Sequence, residues 1–251
     1  MAQASQRTVF HGSTLVRLLS RLTDIDVRES RQGTADRLSQ WFGWTDAISL
    51  SAALDGSPAA VQSSARASGS AEENEFTRVR AALTQAIAED SAPTVVKKRG
   101  NPHAAAAPTG DTPVDSAPTF APYRRRYLTR QQAMETRIAP LRARVRATLA
   151  VRSPTMARLA AVDVVMEQAL AAQERRLLAT VPVLLGKHFE RLRQAAQPTP
   201  DDTQAVDEPD SEAPSTEWLN VFCKHMQDVL LAELDIRLQP VEGLLEALRT
   251  S

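Results

Sequence analysis

Apolar residues recur at intervals of three and four along most of the chain, the spacing of one helical face. The clearest series lies in segment 123–149, at Met134, Ile138, Leu141, Val145 and Leu149. Further series follow Pro154 and begin again near Ser215. No segment has the clean apolar–polar alternation of a strand. The pattern predicts an all-α fold, a helical bundle of long helices.

Shorter helices are predicted near the N-terminus. The first carries Leu15, Leu18, Leu19 and Leu22 on one face. The second is expected to run to about Phe42, with inward positions at Ala35, Leu38, and Trp41 or Phe42. Gly43 should end it, and Thr45 should cap a third helix that reaches about Leu54. These three helices form a predicted N-terminal module.

Segments rich in proline or in serine, alanine and glycine divide the helices into blocks. The predicted order is a helical module 13–55, a flexible linker 56–71, a helix 72–89, a disordered linker 90–121, a long-helix bundle 122–194, an acidic linker 195–215 and C-terminal helices 216–249 that pack on the bundle. Three prolines fall inside helical patterns, at positions 140, 182 and 240. Each predicts a kink or a break, because proline lacks the N–H of the helical ladder.

The composition indicates the cellular compartment and predicts a thin hydrophobic core. Apolar residues make up 43% of the chain and aromatic residues only 4%, so alanine-rich helices should bury little area. The single cysteine, Cys223, excludes an internal disulfide and a cysteine-built zinc site, and is typical of a reducing interior. No signal-peptide core and no apolar run of membrane-spanning length is present. We expect a cytoplasmic protein without a transmembrane segment. The thin core and the 134–149 stripe also predict a homo-oligomer.

Charge is balanced overall but unevenly placed. Lys and Arg number 30, as do Asp and Glu. Residues 120–152 carry nine basic side chains against one acidic, whereas residues 198–251 carry twelve acidic against three basic. One interpretation is that the two segments neutralise each other within a bundle or between protomers. The other is that the basic helix faces an anionic partner such as nucleic acid or lipid headgroups.

Catalytic and metal-binding patterns are missing from the sequence. No phosphate-binding glycine loop occurs, and the four histidines lie in four separate segments without metal-ligand spacing. Cys223 and His225 are two residues apart, so on a helix they point in different directions. We therefore predict no catalytic residue, no cofactor and no metal, and a protein that is not an enzyme. A nucleophilic Cys223 is the remaining enzymatic alternative.

Two groups of residues are candidates for binding. Trp41, Phe42 and Trp44 form an aromatic cluster that is predicted to anchor the module or dock a partner helix. Arg124, Arg125 and Arg126 lie between Tyr123 and Tyr127 and form a candidate anion-binding site, as a nucleic-acid contact would interleave cations with rings.

A family resemblance rests on the following blocks: Arg17-Leu18-Leu19, Arg21-Leu22-Thr23-Asp24, Ser30-Arg31-Gln32, Arg37-Leu38-Ser39-Gln40-Trp41, Trp44-Thr45-Asp46-Ala47-Ile48, Pro122-Tyr123-Arg124, Tyr127, Gln131-Gln132 and Met134, continuing through the Trp218 helix. In these blocks the chain resembles an uncharacterised bacterial family, a domain of unknown function. The resemblance implies a bacterial origin but no activity, fold or site residue. Members of that family are encoded beside OmpA-like envelope proteins, which implies a link to an envelope complex.

The sequence thus predicts a cytoplasmic helical scaffold or adaptor with an unidentified protein partner, expected to be a component of a bacterial envelope complex. The alternative is a nucleic-acid-binding accessory protein that uses the basic 120–152 helix. Long linkers, segregated charge and the lack of active-site chemistry favour the first function.

Overall fold

The computed structural model describes residues 13–23, 33–56, 68–89, 118–197 and 214–250. Within these ranges the chain forms helices α1 (Thr14–Thr23), α2 (Thr34–Trp41), α3 (Trp44–Asp55), α4 (Ser68–Glu89), α5 (Ala121–Ala150), α6 (Pro154–Leu178), α7 (Val181–Ala195) and α8 (Pro214–Thr250). The described residues include no strand. The prediction of an all-α helical bundle is confirmed.

The core lies between α5 and α8, the two longest helices. All five apolar positions of the 134–149 stripe are buried. From α8 the core receives a matching series, Phe222, Met226, Val229, Leu230, Leu234, Leu238, Val241, Leu244, Leu245 and Leu248. Helices α4, α6 and α7 pack around this pair. Because the α5 stripe is buried within one chain, it is not available for self-association.

Two of the three internal prolines do not interrupt their helices. Helix α5 continues through Pro140, and α8 continues through Pro240, so the predicted separate helix after Pro240 is wrong. Buried residues flank each proline on both sides, Ile138 and Leu141 in α5 and Leu238 and Val241 in α8. Their packing offsets the lost backbone hydrogen bond. Near Pro182 the helix is interrupted, since α6 ends at Leu178 and α7 begins at Val181.

The N-terminal helices contact two different parts of the bundle. Helix α1 packs against α7 and α8 through Leu15 and Leu22, whereas α2 and α3 pack against α6. Helix α1 and the pair α2 and α3 therefore lie on two different faces of the bundle. Most of the three predicted linkers, 56–71, 90–121 and 195–215, falls outside the described residues, although α4 already begins at Ser68.

Helix α6 is less buried than its apolar pattern predicts. Only Ala160 and Leu178 are buried, whereas Leu159 and Leu177, which belong to the apolar series that follows Pro154, are exposed. One side of α6 meets α5, but its other partners are the short helices α2 and α3, which cover it incompletely. The bundle thus has a thin outer layer. None of the described helices has the length and apolarity needed to cross a membrane.

Candidate interaction surface and buried polar groups

Helices α2 and α3 begin in the same way. Asp36 accepts a hydrogen bond from the backbone N–H of Gly33 at 3.2 Å, and Asp46 accepts one from Gly43 at 2.9 Å. A carboxylate in the first turn also opposes the positive end of the helix dipole. The sequence predicted Thr45 as the cap of α3, but Gly43 occupies the cap position. Asp46 therefore fixes the point at which α3 begins.

Helix α3 has no fully buried residue. Its half-buried side chains, Asp46, Leu50 and Ala53, follow the spacing of a single face, which is the one toward α6. On the opposite face Trp44 is 82% exposed and Ile48 is 55% exposed. A helix that is apolar on both faces is normally covered on both. We call the outward face, Trp44, Ile48, Ser51, Ala52 and Asp55, the α3 stripe.

Trp41 has a different environment from Trp44. Its side chain is 37% exposed and lines a groove of about 720 Å³ between α5 and α6, whose lining also includes residues of α8. Other residues of this groove are Ile138, Leu170 and Pro240. Phe42, the third predicted aromatic, is half-buried. The three aromatic residues therefore do not form one patch, and Trp44 is the one that faces fully outward.

The three consecutive arginines at the start of α5 do not converge. Arg124 and Arg125 are exposed, whereas Arg126 is half-buried with its guanidinium carbon 5.8 Å from the centre of the Tyr123 ring. Neighbouring residues on a helix point about 100° apart, so the three side chains leave α5 in three different directions. The anion-binding role of Arg124, Arg125 and Arg126 stays a prediction.

Of the two tyrosines that flank these arginines, Tyr127 lies in the core and Tyr123 is half-buried and packs against it. Tyr123 packs edge-on against Phe222 at 5.3 Å and lies 5.7 Å from Phe189, measured between ring centres. Phe222 in turn meets Phe189 at 5.0 Å, and Phe189 meets Trp218 at 5.1 Å. Burial raises the pKa of the Tyr123 hydroxyl. Rings held in this way are not available to stack on nucleic-acid bases.

A fully buried carboxylate, Glu233, lies between α5 and α8. It accepts hydrogen bonds from the Tyr127 hydroxyl at 2.6 Å and from Gln131 Nε2 at 3.0 Å. Arg237 donates to it through Nε at 2.9 Å and also pairs with Glu174 of α6 at 3.3 Å. Burial and the neighbouring Glu233 raise the pKa of Tyr127, so its hydroxyl stays protonated. Both carboxylate oxygens of Glu233 accept hydrogen bonds, which is the condition for tolerating a buried charge.

A second polar network joins α5 to α6. Arg142 Nε donates to Asp163 at 2.9 Å, Arg146 donates to the same carboxylate at 3.2 Å, and both arginines also pair with Glu167. The basic segment is thus partly neutralised within the bundle, but for Arg142 and Arg146 the acids come from α6 and not from segment 198–251, which one interpretation named. Acidic residues of α8 form ion pairs with cations of other helices. Arg80 of α4, for example, pairs with Asp235 at 2.8 Å and with Glu242 at 3.1 Å.

Two histidines from separate segments meet at the junction of α7 and α8. Nε2 of His188 lies 2.9 Å from Nδ1 of His225, and Arg191 approaches His188 Nδ1 at 3.3 Å. Burial, His225 and Arg191 lower the pKa of His188 to about 4, although a hydrogen bond to the Leu22 carbonyl of α1 acts in the opposite sense. Burial also lowers the pKa of His225. Both rings are therefore neutral at pH 7.

This pair predicts a loss of stability in acid. The unfolded chain binds a proton at a pKa near 6.5, but the folded chain binds it on His188 only near 4, so stability falls as pH drops through this window. The expected loss is about 1–3 kcal/mol. Denaturant unfolding of wild type and of His188→Gln at neutral pH and near pH 4 measures it. The variant should lose less stability between the two conditions, and equal losses would contradict the assignment.

Cys223 of α8 is a buried thiol near Tyr123 and Arg126 of α5. Burial raises its pKa, and the charge of Arg126 offsets this only in part. A protonated, buried thiol is a poor nucleophile, so the geometry favours a structural cysteine. Among the described residues, no group of three or more His, Cys, Asp or Glu side chains could hold a metal ion.

Comparison with known proteins assigns the chain to a family. The sequence model described as "Protein of unknown function (DUF3348)" matches residues 1–250. The chain belongs to the DUF3348 family. The predicted membership of a family of unknown function is thereby confirmed. No curated protein and no solved structure matches the chain significantly.

DUF3348 membership supplies no activity, so the sites of this member have to be judged from geometry. Sequence reasoning missed the Glu233 network and the histidine pair, since their partners lie 106 and 37 residues apart in the chain. One signal for the first was available, because Glu233 falls on the apolar face of α8 with Arg237 four residues later. For the pair of His188 and His225, the sequence held no local signal.

Proposed function

We propose that this DUF3348 protein is a non-enzymatic scaffold or adaptor that docks a helix of a protein partner on the α3 stripe. The observation that carries the proposal is the 82% exposure of Trp44, with Ile48 one turn further along the same face. Tryptophan is the residue type most enriched among those that dominate the affinity of protein interfaces.

The physical support is the cost of leaving this face in water. Burying a large apolar side chain is worth about 1.5–3 kcal/mol, and α3 gains little of this from α6, against which its side chains are only half-buried. An apolar row at helical spacing is also the usual anchor pattern when one helix docks on another. The buried polar networks, in contrast, are internally paired and offer no comparable surface.

The compartment and the partner class are part of the same proposal. We place the protein in the cytoplasm, since its one cysteine is a free, buried thiol. The first partner to test is a component of a bacterial envelope complex, because relatives are expected to be encoded beside envelope proteins.

Partner capture with paired variants tests the docking surface. Trp44→Asp should abolish capture of any partner that uses the α3 stripe, because a charge replaces the central apolar anchor. The substitution should leave the helix intact, since an acid in the first turn favours the helix dipole. Val183→Asp on α7 is the matched control, as Val183 is also exposed, at 59%. Equal capture by wild type, Trp44→Asp and Val183→Asp would refute the proposal.

A further inference from the structure

The α3 stripe has a pattern that is complementary to itself. Its N-terminal half carries the large side chains Trp44 and Ile48, and its C-terminal half carries the small side chains Ser51 and Ala52. All four are exposed, and none of the other described helices covers them. An apolar row of this kind can dock on a reversed copy of itself, since each large residue then meets small ones.

We propose that the occupant of the α3 stripe is the α3 stripe of a second copy of this chain, in antiparallel orientation. This inference rests on the proposed function and names its first partner. With the twofold axis at Ile48, position 44 of one copy lies level with position 52 of the other. Each Trp44 ring then covers Ser51 and Ala52 of the partner helix, and the two Ile48 side chains meet at the axis.

Charge distinguishes antiparallel from parallel pairing. Asp55 ends α3, and in the antiparallel pair it lies level with position 41 of the partner, about 4.5 Å before the first residue of the partner's α3, where the positive end of the helix dipole favours an anion. A parallel pair would place the two Asp55 carboxylates side by side and align the two dipoles. The antiparallel arrangement makes the favourable contact twice, as a twofold interface requires.

The size of the stripe sets the strength of the expected dimer. A helix of 12 residues is about 18 Å long, so α3 alone covers less than the roughly 800 Å² per partner of a standard interface. We therefore expect a reversible dimer that forms at micromolar concentration. Trp44→Asp should weaken it on the order of 30-fold or more, the effect of losing a dominant interface residue.

This surface replaces the one that the sequence predicts for self-association. The 134–149 stripe of α5 is occupied by α8 of the same chain. The α3 stripe provides a different surface for self-association. It is shorter than the α5 stripe and is self-complementary.

Cysteine pairs across the proposed axis test the arrangement on the full chain. Thr45→Cys and Ala52→Cys are mild changes at exposed positions that leave Trp44 and Ile48 in place. In the antiparallel dimer, position 45 of one copy and position 52 of the other differ by about 1.5 Å along the axis, whereas 45 with 45 is offset by about 9 Å and 52 with 52 by about 12 Å. Disulfide formation is followed for each variant alone and for their mixture, with wild type, whose Cys223 is buried, as the control.

The expected result is a covalent dimer from the mixture, little from either variant alone, and its loss when Trp44→Asp is added to both. If each single variant formed as much covalent dimer as the mixture, the antiparallel register would be wrong and the proposal would be overturned. Suppose that sedimentation shows a wild-type monomer at high micromolar concentration. If capture of another protein still depends on Trp44, the dimer proposal is refuted and the docking function is retained. If no such capture occurs, both the dimer proposal and the docking function are refuted.

Discussion

Replacing Arg237 with methionine is expected to lower the free energy of unfolding by about 3–5 kcal/mol, the cost of leaving a buried carboxylate without its cation. Glu233 is fully buried and depends on Arg237 for its only neutralising charge among the contacts described above. The Tyr127 and Gln131 hydrogen bonds would remain, but they cannot balance the charge. Equilibrium unfolding in denaturant measures the effect.

Two further variants separate charge from packing at this position. Arg80→Met removes another arginine that pairs with carboxylates of α8, but this one is half exposed, so the loss should stay below about 1 kcal/mol. Adding Glu233→Gln to Arg237→Met removes the unpaired charge and should recover part of the stability. A loss at Arg237 as small as that at Arg80 would show that the Glu233 network does not hold α5 and α8 together.

Truncating Phe222 to alanine should cost about 3–5 kcal/mol, the usual range for deleting a buried aromatic side chain. Its ring is fully buried and makes edge-on contacts with Tyr123, Phe189 and Phe120 at centre distances of 5.3, 5.0 and 6.1 Å. Such ring pairs add about 0.5–1.5 kcal/mol beyond the buried area. The free energy of unfolding and the near-ultraviolet circular dichroism of the remaining rings report the loss.

Val221 provides the matched control on the same helix. It precedes Phe222 but is exposed, so Val221→Ala should change stability by about 0.5 kcal/mol or less. Phe222→Leu keeps much of the volume and should fall between the two. If Phe222→Ala and Val221→Ala had the same effect, the aromatic cluster would not be the centre of this end of the bundle.

Periodicity was sufficient to predict the central helices. In α5 the spacing of Met134, Ile138, Leu141, Val145 and Leu149 identifies the buried face directly, because each of these positions meets α8 or its neighbours. The same holds for Leu83 and Ile87 of α4 and for Phe222 and Met226 of α8. A long apolar stripe has only one way to leave water, so local pattern and tertiary packing agree.

Where a helix is covered on one side only, the pattern was less informative. The apolar spacing of α6 predicted a continuous buried face, but Leu159 and Leu177 are exposed because α2 and α3 are too short to cover them. The prolines at positions 140 and 240 suggested a kink or a break, but both helices continue through them, with buried residues packed on both sides. In each case tertiary contacts outweigh a local preference.

The candidate site was predicted only in part. Sequence alone identified the cluster of Trp41, Phe42 and Trp44, but it could not tell that Trp41 lies along the α5–α6 groove while Trp44 faces outward. That difference depends on which face of α3 meets α6. The residues that complete the α3 stripe, Ser51, Ala52 and Asp55, become meaningful only once this face is known.

Site-specific photo-crosslinking in the native cell tests the docking role of the α3 stripe most directly. A photoreactive aromatic residue replaces Ile48 at native expression level, and a second strain carries it at Val183, which is equally exposed on α7. We predict a covalent adduct from position 48 that disappears when Trp44→Asp is added, and none of the same mass from position 183. An adduct with the mass of two chains would show that the crosslinked partner is a second copy of this chain. No adduct at position 48, or the same adduct from both positions, would contradict the account.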